Sequence, residues 1–424
     1  MTALTTKQTA VEIESHGLEI YAGVDTHRDT HHVALVNQVG RTLRDEQFPA
    51  TGVGYRRIVD FLHHYGPVTA VGVEGTGSYG AELSRVLRLE GFGVVEVMRP
   101  NRQRRRLKGK SDPLDALQAA MTVLTGRGLA TPKERDAHAE SLRILLAERS
   151  LVVKTRSATM NQIHALLIAS DNAVREDYRR YSREKLITII ARTRPSAGID
   201  PEQIARQSLK RLAVRHQNLG DDIVALDLQL DTLVRQLNPA LLDANGIGPV
   251  VAATLLAAVG DNPERIIGKA QFAALCGVAP IPASSGQRVR HRLSRGGDRR
   301  ANHAIHRIVL VRHSHHDPRT MEYFQRRRAE GLSDRDIVRC LKRHVANEVF
   351  ALLAHPAPAR VIGQQLRQQR KDLNITITDL AETLHVPYQR LRRLEIGKRT
   401  DTDLEARCQQ RLDNVRQSRP IKTV

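Results

Sequence analysis

Glu19-Ile20-Tyr21-Ala22-Gly23-Val24-Asp25 is an apolar run that closes on a carboxylate. Such a run reads as a buried strand, and an acid at its end stands at the edge of a sheet. Val68-Thr69-Ala70-Val71-Gly72-Val73-Glu74 has the same form. Between the two, His32-Val33-Ala34-Leu35-Val36 and Arg41-Thr42-Leu43 read as short strands on either side of a turn at Gln38-Val39-Gly40. An amphipathic stretch comes next, with Ile58, Phe61 and Leu62 on one face. Beyond Glu74 the pattern predicts a helix from about Ala81 to Leu89 and a strand over Gly93–Met98. A hairpin meander followed by strand–helix–strand gives a mixed α/β sheet, here over residues 17–135.

Two further acids lie in Lys110-Ser111-Asp112-Pro113-Leu114-Asp115-Ala116, one helical turn apart and so on one helix face. Strand-end acids converge at one sheet edge, and a helix can bring the pair to meet them. Asp25, Glu74, Asp112 and Asp115 would then hold two hard cations about 4 Å apart, the arrangement that cuts and joins phosphodiesters. Each acid has a plainer reading by itself. Asp112 before Pro113 could cap a helix, Asp115 sits well in a first turn, Asp25 could start a turn, and Glu74 could be a solvated strand end. All four in the order strand end, strand end, helix pair form a far more specific pattern.

The acids sit in a basic chain. Lys plus Arg exceeds Asp plus Glu by 66 − 46 = 20 over 424 residues, which favours a polyanionic partner. Arg99, Arg102, Arg104, Arg105, Arg106, Lys108 and Lys110 crowd the segment before the acidic pair. A charge run is usually a solvated face, but this one is placed to hold the phosphates of a strand being cut. A second concentration, Pro282-Ala283-Ser284-Ser285-Gly286-Gln287-Arg288-Val289-Arg290-His291-Arg292-Leu293-Ser294-Arg295-Gly296-Gly297-Asp298-Arg299-Arg300, reads either as a flexible basic loop or as a nucleophile in a positive pocket. Aromatic residues are 3% and Trp is absent, so backbone electrostatics suits this chain better than base stacking. Apolar runs fall short of the ~18–20 residues that span a bilayer. The first 18 residues are polar, without the apolar core of a secretion signal, and the three cysteines are scattered. The expectation is a cytoplasmic protein with no membrane partner.

Residues 136–238 carry almost no strand signal. Leu219, Ile223, Leu226, Leu230, Leu233 and Leu237 make a heptad seam, open to pairing with the preceding helix (142–169) or with another subunit. Residues 239–355 read as a mainly helical domain. It opens on Asn245-Gly246-Ile247-Gly248-Pro249, which is like a helix-hairpin-helix turn, and its last helix starts at Ser333-x-x-Asp336. After a Pro-rich linker, residues 360–424 form a separate helical bundle with Leu366, Leu380, Ala381, Leu384, Val386, Leu391 and Leu394 as its apolar positions. Thr378–Leu391 resembles the Cro/repressor-type helix-turn-helix, leaving Tyr388, Gln389, Arg390 and Arg393 to face a DNA groove. A protein-interaction module is the competing reading.

Two motifs are set aside. Gly75-Thr76-Gly77-Ser78-Tyr79-Gly80 matches a dinucleotide-binding loop, with Glu96 near the ribose position, but Glu74 directly before it would repel a pyrophosphate. His27, His31 and His32, and likewise His313, His315 and His316, read as surface or phosphate-contacting histidines, since cysteine partners and an H-E-x-x-H motif are lacking.

Gly23-Val24-Asp25-Thr26, Glu74-Gly75-Thr76-Gly77-x-Tyr79 and Lys110-Ser111-Asp112-x-x-Asp115-Ala116 resemble the DEDD-type insertion-sequence transposases, the insertion sequence one-ten family related to the Piv invertase. Gly246-Ile247-Gly248, Phe272–Pro280 and Ser285-Gly286 match its second domain, so the resemblance spans roughly 19–354. It implies a RuvC-like (RNase H-like) domain whose four acids bind Mg²⁺ in a two-metal site. It also implies a helical segment and a second domain whose catalytic serine falls on Ser285, with Ser284 as fallback. Arg288, Arg290, Arg292 and Arg295 would hold backbone phosphates there. The implied partners are DNA, a structured guide RNA in many members, and further copies of the chain as a dimer or tetramer. Gly75 replaces a common alanine, and the tail lies outside the family core. A site-specific invertase, a junction nuclease and a DNA-binding regulator on a dead scaffold remain as alternatives.

Overall fold

The structure, a computed structural model, describes residues 19–97, 111–284, 291–292, 294, 296–354, 362–395 and 401–417. It divides into two compact units, Met1–Asp136 and Ala137–Val424.

In the first unit, β1 (Ile20–Thr26), β2 (Thr30–Asn37) and β3 (Thr42–Pro49) form an antiparallel meander. Both hairpin strands run longer than the apolar residues alone suggest, because β3 is an edge strand carrying polar side chains. Helix α1 (Gly52–His64), capped by the Thr51 hydroxyl on Gly54 N–H, leads to β4 (Val68–Glu74). Helix α2 (Ala81–Leu89) joins β4 to β5 (Val94–Val97), and α3 (Asp112–Thr125) precedes a short β6 (Leu129–Ala130). The sheet order is β3-β2-β1-β4-β5-β6, with β1, β4 and β5 mutually parallel. This is a mixed sheet consistent with a RuvC-like domain.

Strand alternation sorts the side chains onto two faces. Ile20, Ala22, Val24, Val71 and Val73 pack with Ile58 and Leu62 of α1 and Leu83 and Leu87 of α2. The intervening positions, Tyr21, Gly23, Ala70 and Gly72, face α3, whose Ala116, Ala119 and Ala120 are buried against the sheet. Small residues on both sides bring helix and sheet backbones unusually close.

The second unit is helical. Helices α4 (His138–Ala169) and α7 (Pro201–Leu237) pack along one another, with α5 (Asn172–Arg179) and α6 (Arg183–Arg192) between them in sequence. The heptad helix therefore finds its partner within the chain: Arg149 donates to both carboxylate oxygens of Asp227, at 2.5 and 3.1 Å, and Leu226 and Leu230 are buried. Next come α8 (Ala240–Asp243), α9 (Pro249–Val259), α10 (Lys269–Leu275), and a ribbon of β7 (Ile281–Pro282) with β8 (His291–Arg292). Helices α11 (Arg299–Ser314), α12 (Pro318–Ala329) and α13 (Asp334–Ala354) complete this core around Phe272, Ile305, Ile308, Val345 and Val349. The first glycine of the Gly-Ile-Gly turn has a local reason: Gly246 has φ +79°, and a Cβ there would lie 3.1 Å from Arg312 Cγ.

The tail comprises α14 (Ile362–Asp372), α15 (Ile377–Thr383), α16 (Tyr388–Glu395) and α17 (Thr402–Gln417). Its core includes Leu404, Cys408 and Leu412 of α17 beside the leucines expected from the earlier helices. At its centre Arg370 donates to both oxygens of Glu395, at 2.6 and 2.8 Å, and to Ile375 O at 2.7 Å. Arg370→Met strands a carboxylate that is only 2% exposed. Breaking such a pair costs about 3–5 kcal/mol. Amide hydrogen exchange in α15 and α16 is expected to accelerate by about 100-fold or more. Combining Arg370→Met with Glu395→Leu should recover most of the protection, because the pair of changes removes the orphaned charge.

Candidate active site

β1 and β4 pair in parallel with Val24 opposite Val73, so Asp25 and Glu74 leave the sheet side by side at its carboxyl edge. By alternation both follow Gly23 and Gly72 onto the face covered by α3. That helix starts after Ser111 with Pro113 in its first turn, where a fixed φ and the missing N–H carry no penalty. Asp112 and Asp115 therefore sit at the helix N-terminus, whose partial positive charge favours acids. Asp25, Glu74 and Asp115 are buried, at 5%, 7% and 8% exposure. The Asp112 side chain is 43% exposed and forms the open rim.

One residue joins this group that the sequence pattern assigns to the surface. His27 Nε2 lies 3.2 Å from Asp25 Oδ2 and 3.2 Å from Asp112 Oδ1. Asp25, His27 and Asp112 each offer a ligand atom within 4.8 Å of the others. Spacing carried a weak signal for it, since residue 27 lies two positions after Asp25, just past the end of β1. His31 and His32 are also corrected: His31 is fully buried and stacks on Tyr55, and His32 is buried with its Nε2 2.7 Å from Asp45 Oδ2. Both belong to the almost wholly buried strand β2, and the half-exposed Asp45 lies between His32 and solvent. His315 and His316 are exposed, and His313 packs on Phe324.

Burial is the main cause that lifts the Asp25 pKa above 3.8; His27 opposes it, and the charges of Asp115 and Asp112 add to it. A buried carboxylate crowded by other carboxylates is a site in need of positive charge. The donor set of carboxylates with one imidazole suits a divalent cation. The glycine loop does not form a phosphate cradle. Gly75 turns with φ +69°, Arg135 Nη2 donates to Gly77 O at 2.8 Å, and a Cβ on Gly80 would strike Val73.

Arg99, Arg102, Arg104, Arg105, Arg106, Lys108 and Lys110 lie outside the described residues, as do Ser285, Arg288, Arg290 and Arg295. The ribbon of β7 and β8 brackets the serine segment. Arg292, with Arg326, Arg339 and Lys342, lines a cavity of about 650 Å³ behind that ribbon. Lys342 Nζ donates to Asn302 Oδ1 at 2.7 Å, and Asn302 Nδ2 donates to Cys276 O and Gly277 O at 2.8 and 3.0 Å. Burial lowers the Lys342 pKa. Sequence alone had no signal for this fixed lysine, because its neighbours on α13 are an ordinary mixture of charges. In the tail, Tyr388, Gln389 and Arg393 are exposed, whereas Arg390 is held by Asp401 at 2.7 Å. Among the described residues no helix is long and apolar enough to cross a membrane.

Comparison with known proteins matches two transposase family models in order along the chain. The first is the DEDD-type IS110 transposase over residues 22–169, and the second is the IS116/IS110/IS902 family transposase over 238–325. An uncharacterised 43.6 kDa protein of insertion element IS110 from Streptomyces coelicolor is 23% identical over 391 residues, 80% of this chain and 95% of its own. An uncharacterised 42 kDa protein of IS900 from Mycobacterium paratuberculosis is 28% identical over 59% of this chain and 74% of its own. A Streptomyces coelicolor protein named as a mini-circle putative transposase for IS117 is 24% identical over 64% and 78%.

Proposed function

The chain belongs to the IS116/IS110/IS902 transposase family, a family of enzymes that act on DNA, and from that premise we propose that it excises and inserts a mobile element by metal-assisted phosphoryl transfer with Ser285 as nucleophile. The observation that carries the metal part is the meeting of Asp25 and Asp112 around one point at the edge of the sheet, with Glu74 level with Asp25 on the neighbouring strand. Asp25, Glu74, Asp112 and Asp115 would hold Mg²⁺. When bound, the metal supplies positive charge to the phosphate in transition and to the oxygens that attack and leave.

The protein's own groups do the rest. Ser285 Oγ attacks phosphorus and gives up its hydroxyl proton to solvent, one P–O bond to the deoxyribose breaks, and the departing oxygen takes a proton from solvent in return. The phosphoserine ester keeps the bond energy for rejoining, when an incoming hydroxyl attacks the same phosphorus and frees the serine. Arg288, Arg290, Arg292 and Arg295 neutralise the phosphate beside the serine, and the basic run from Arg99 to Lys110 holds the strand at the acids. The net charge of +20 supports a double load of DNA and a structured guide RNA. Tyr388, Gln389 and Arg393 of α16 are placed to read element ends or target. Assembly as a dimer or tetramer brings the acids of one copy to the serine of another.

The test is a denaturing trap. Protein co-expressed with its flanking non-coding RNA is mixed with element-end DNA and Mg²⁺, denatured, digested and mapped by mass spectrometry. A nucleotide carried on the Ser285 peptide is the expected result. Cleavage without any adduct would leave a metal-only nuclease and remove the serine from the reaction.

A further inference from the structure

We propose that His27 is itself a metal ligand, and that its imidazole tunes the acidic site toward first-row transition cations such as Mn²⁺ over Mg²⁺. The inference rests on the reading that the acids hold a metal, and it adds a nitrogen donor that a four-carboxylate site does not contain.

Three observations place the imidazole there. Its Nε2 is 3.2 Å from oxygens of two different carboxylates, which come from different secondary-structure elements. Asp25 Oδ2 is buried and makes no hydrogen bond of acceptable geometry, although Nε2 stands beside it, while the hydrogen-bond contact of that nitrogen goes to Asp112 Oδ1. One N–H cannot fully satisfy two carboxylate oxygens that each lie 3.2 Å from the same nitrogen. A cation at that point can, since it accepts lone pairs from Asp25, Asp112 and Nε2 together. The His27 side chain is 41% exposed, so the ring has room to adjust as the ligand atoms close on an ion.

The donor set decides which metal is preferred. Mg²⁺ demands oxygen ligands and keeps its waters, whereas an imidazole nitrogen is a good donor to later divalent ions of the first row. Metal ligation puts the remaining ring proton on Nδ1 and presents the Nε2 lone pair to the ion.

Mn²⁺ is both ligand and reporter. Wild type, His27→Ala, His27→Gln and Asp25→Asn would be titrated with MnCl₂ and with MgCl₂ by calorimetry. The bound Mn²⁺ would then be studied by pulsed electron paramagnetic resonance, which detects a directly ligating ¹⁴N. Expected are a ¹⁴N coupling in wild type that vanishes in His27→Ala, and about a tenfold loss of Mn²⁺ affinity with a smaller change for Mg²⁺. Mn²⁺ binding that depends on Asp25 but shows no ¹⁴N coupling, or an unchanged Mn²⁺/Mg²⁺ ratio in both His27 variants, overturns the assignment and leaves the acidic site intact. Binding of neither metal to wild type overturns the acidic site as well.

Discussion

Asp25→Asn is expected to lower DNA strand transfer by about 10³-fold or more while leaving the protein folded and more resistant to heat. The loss comes from position. Asp25 is the carboxylate that faces both His27 and Asp112, and an amide cannot supply the charge that draws a cation to that point. The gain in heat resistance comes from the same burial. Desolvation raises the Asp25 pKa, and Asp115 and Asp112 raise it further against the opposing His27. The folded state therefore favours the protonated acid. The stability that protonated Asp25 contributes is fully present below its ordinary pKa of 3.8 and is lost as pH rises through the higher folded value. Above that range the buried carboxyl opposes folding, so the asparagine variant should melt above wild type at neutral pH and converge with it in acid. Added Mg²⁺ or Mn²⁺ should raise the melting temperature of wild type and barely move the variant, because only the former would bind the ion in its folded state. Strand transfer in the variant within about tenfold of wild type would remove Asp25 from the chemistry. Equal melting temperatures across pH would remove the electrostatic account of it.

Gly23→Ala is the second change with a large expected effect, and it acts through the backbone. A Cβ at Gly23 would fall 2.0 Å from Ala120 N, 2.4 Å from Ala116 O and 2.7 Å from Ala119 C, all main-chain atoms of α3. Nothing there is a flexible side chain that could swing aside. The helix must move off β1 by more than about an ångström or the local fold must open, at about 3 kcal/mol or more. That corresponds to a fall in melting temperature of about 6–12 °C. The displaced helix carries Asp112 and Asp115 with it, so stabilisation by added metal should also disappear. Gly77→Ala is the control: a Cβ there meets no atom within 4 Å, and both stability and metal response should be unchanged. A Gly23→Ala protein that melts with wild type and still responds to metal would show that the close approach of α3 to β1 does not position the acids.

Asp25 and Gly23 also divide the legible part of the chain from the illegible part. β4 begins and ends at the residues that the apolar run Val68–Glu74 predicts, and α2 spans the expected Ala81–Leu89. A buried strand or an amphipathic helix writes its period into the chain, and an acid at a strand end is visible as an interruption of that period. The sequence by itself therefore determined the mixed sheet, the order of the acids along it, the helical character of the remaining chain and the preference for a polyanionic partner. It left Gly23 and Gly72 as unremarked small residues in strands. Their role exists only where α3 crosses them, and nothing local encodes that crossing. It likewise left His27 among the histidines read as surface or phosphate-contacting, the heptad seam with two possible partners, and Lys342 unmarked on a charged helix. The tertiary structure shows what each of them touches: α3 against the glycines, two acids beside His27, α4 along the seam and Asn302 on Lys342. Each depends on which surface meets which across long stretches of chain, and that is a matter of packing geometry rather than of local periodicity.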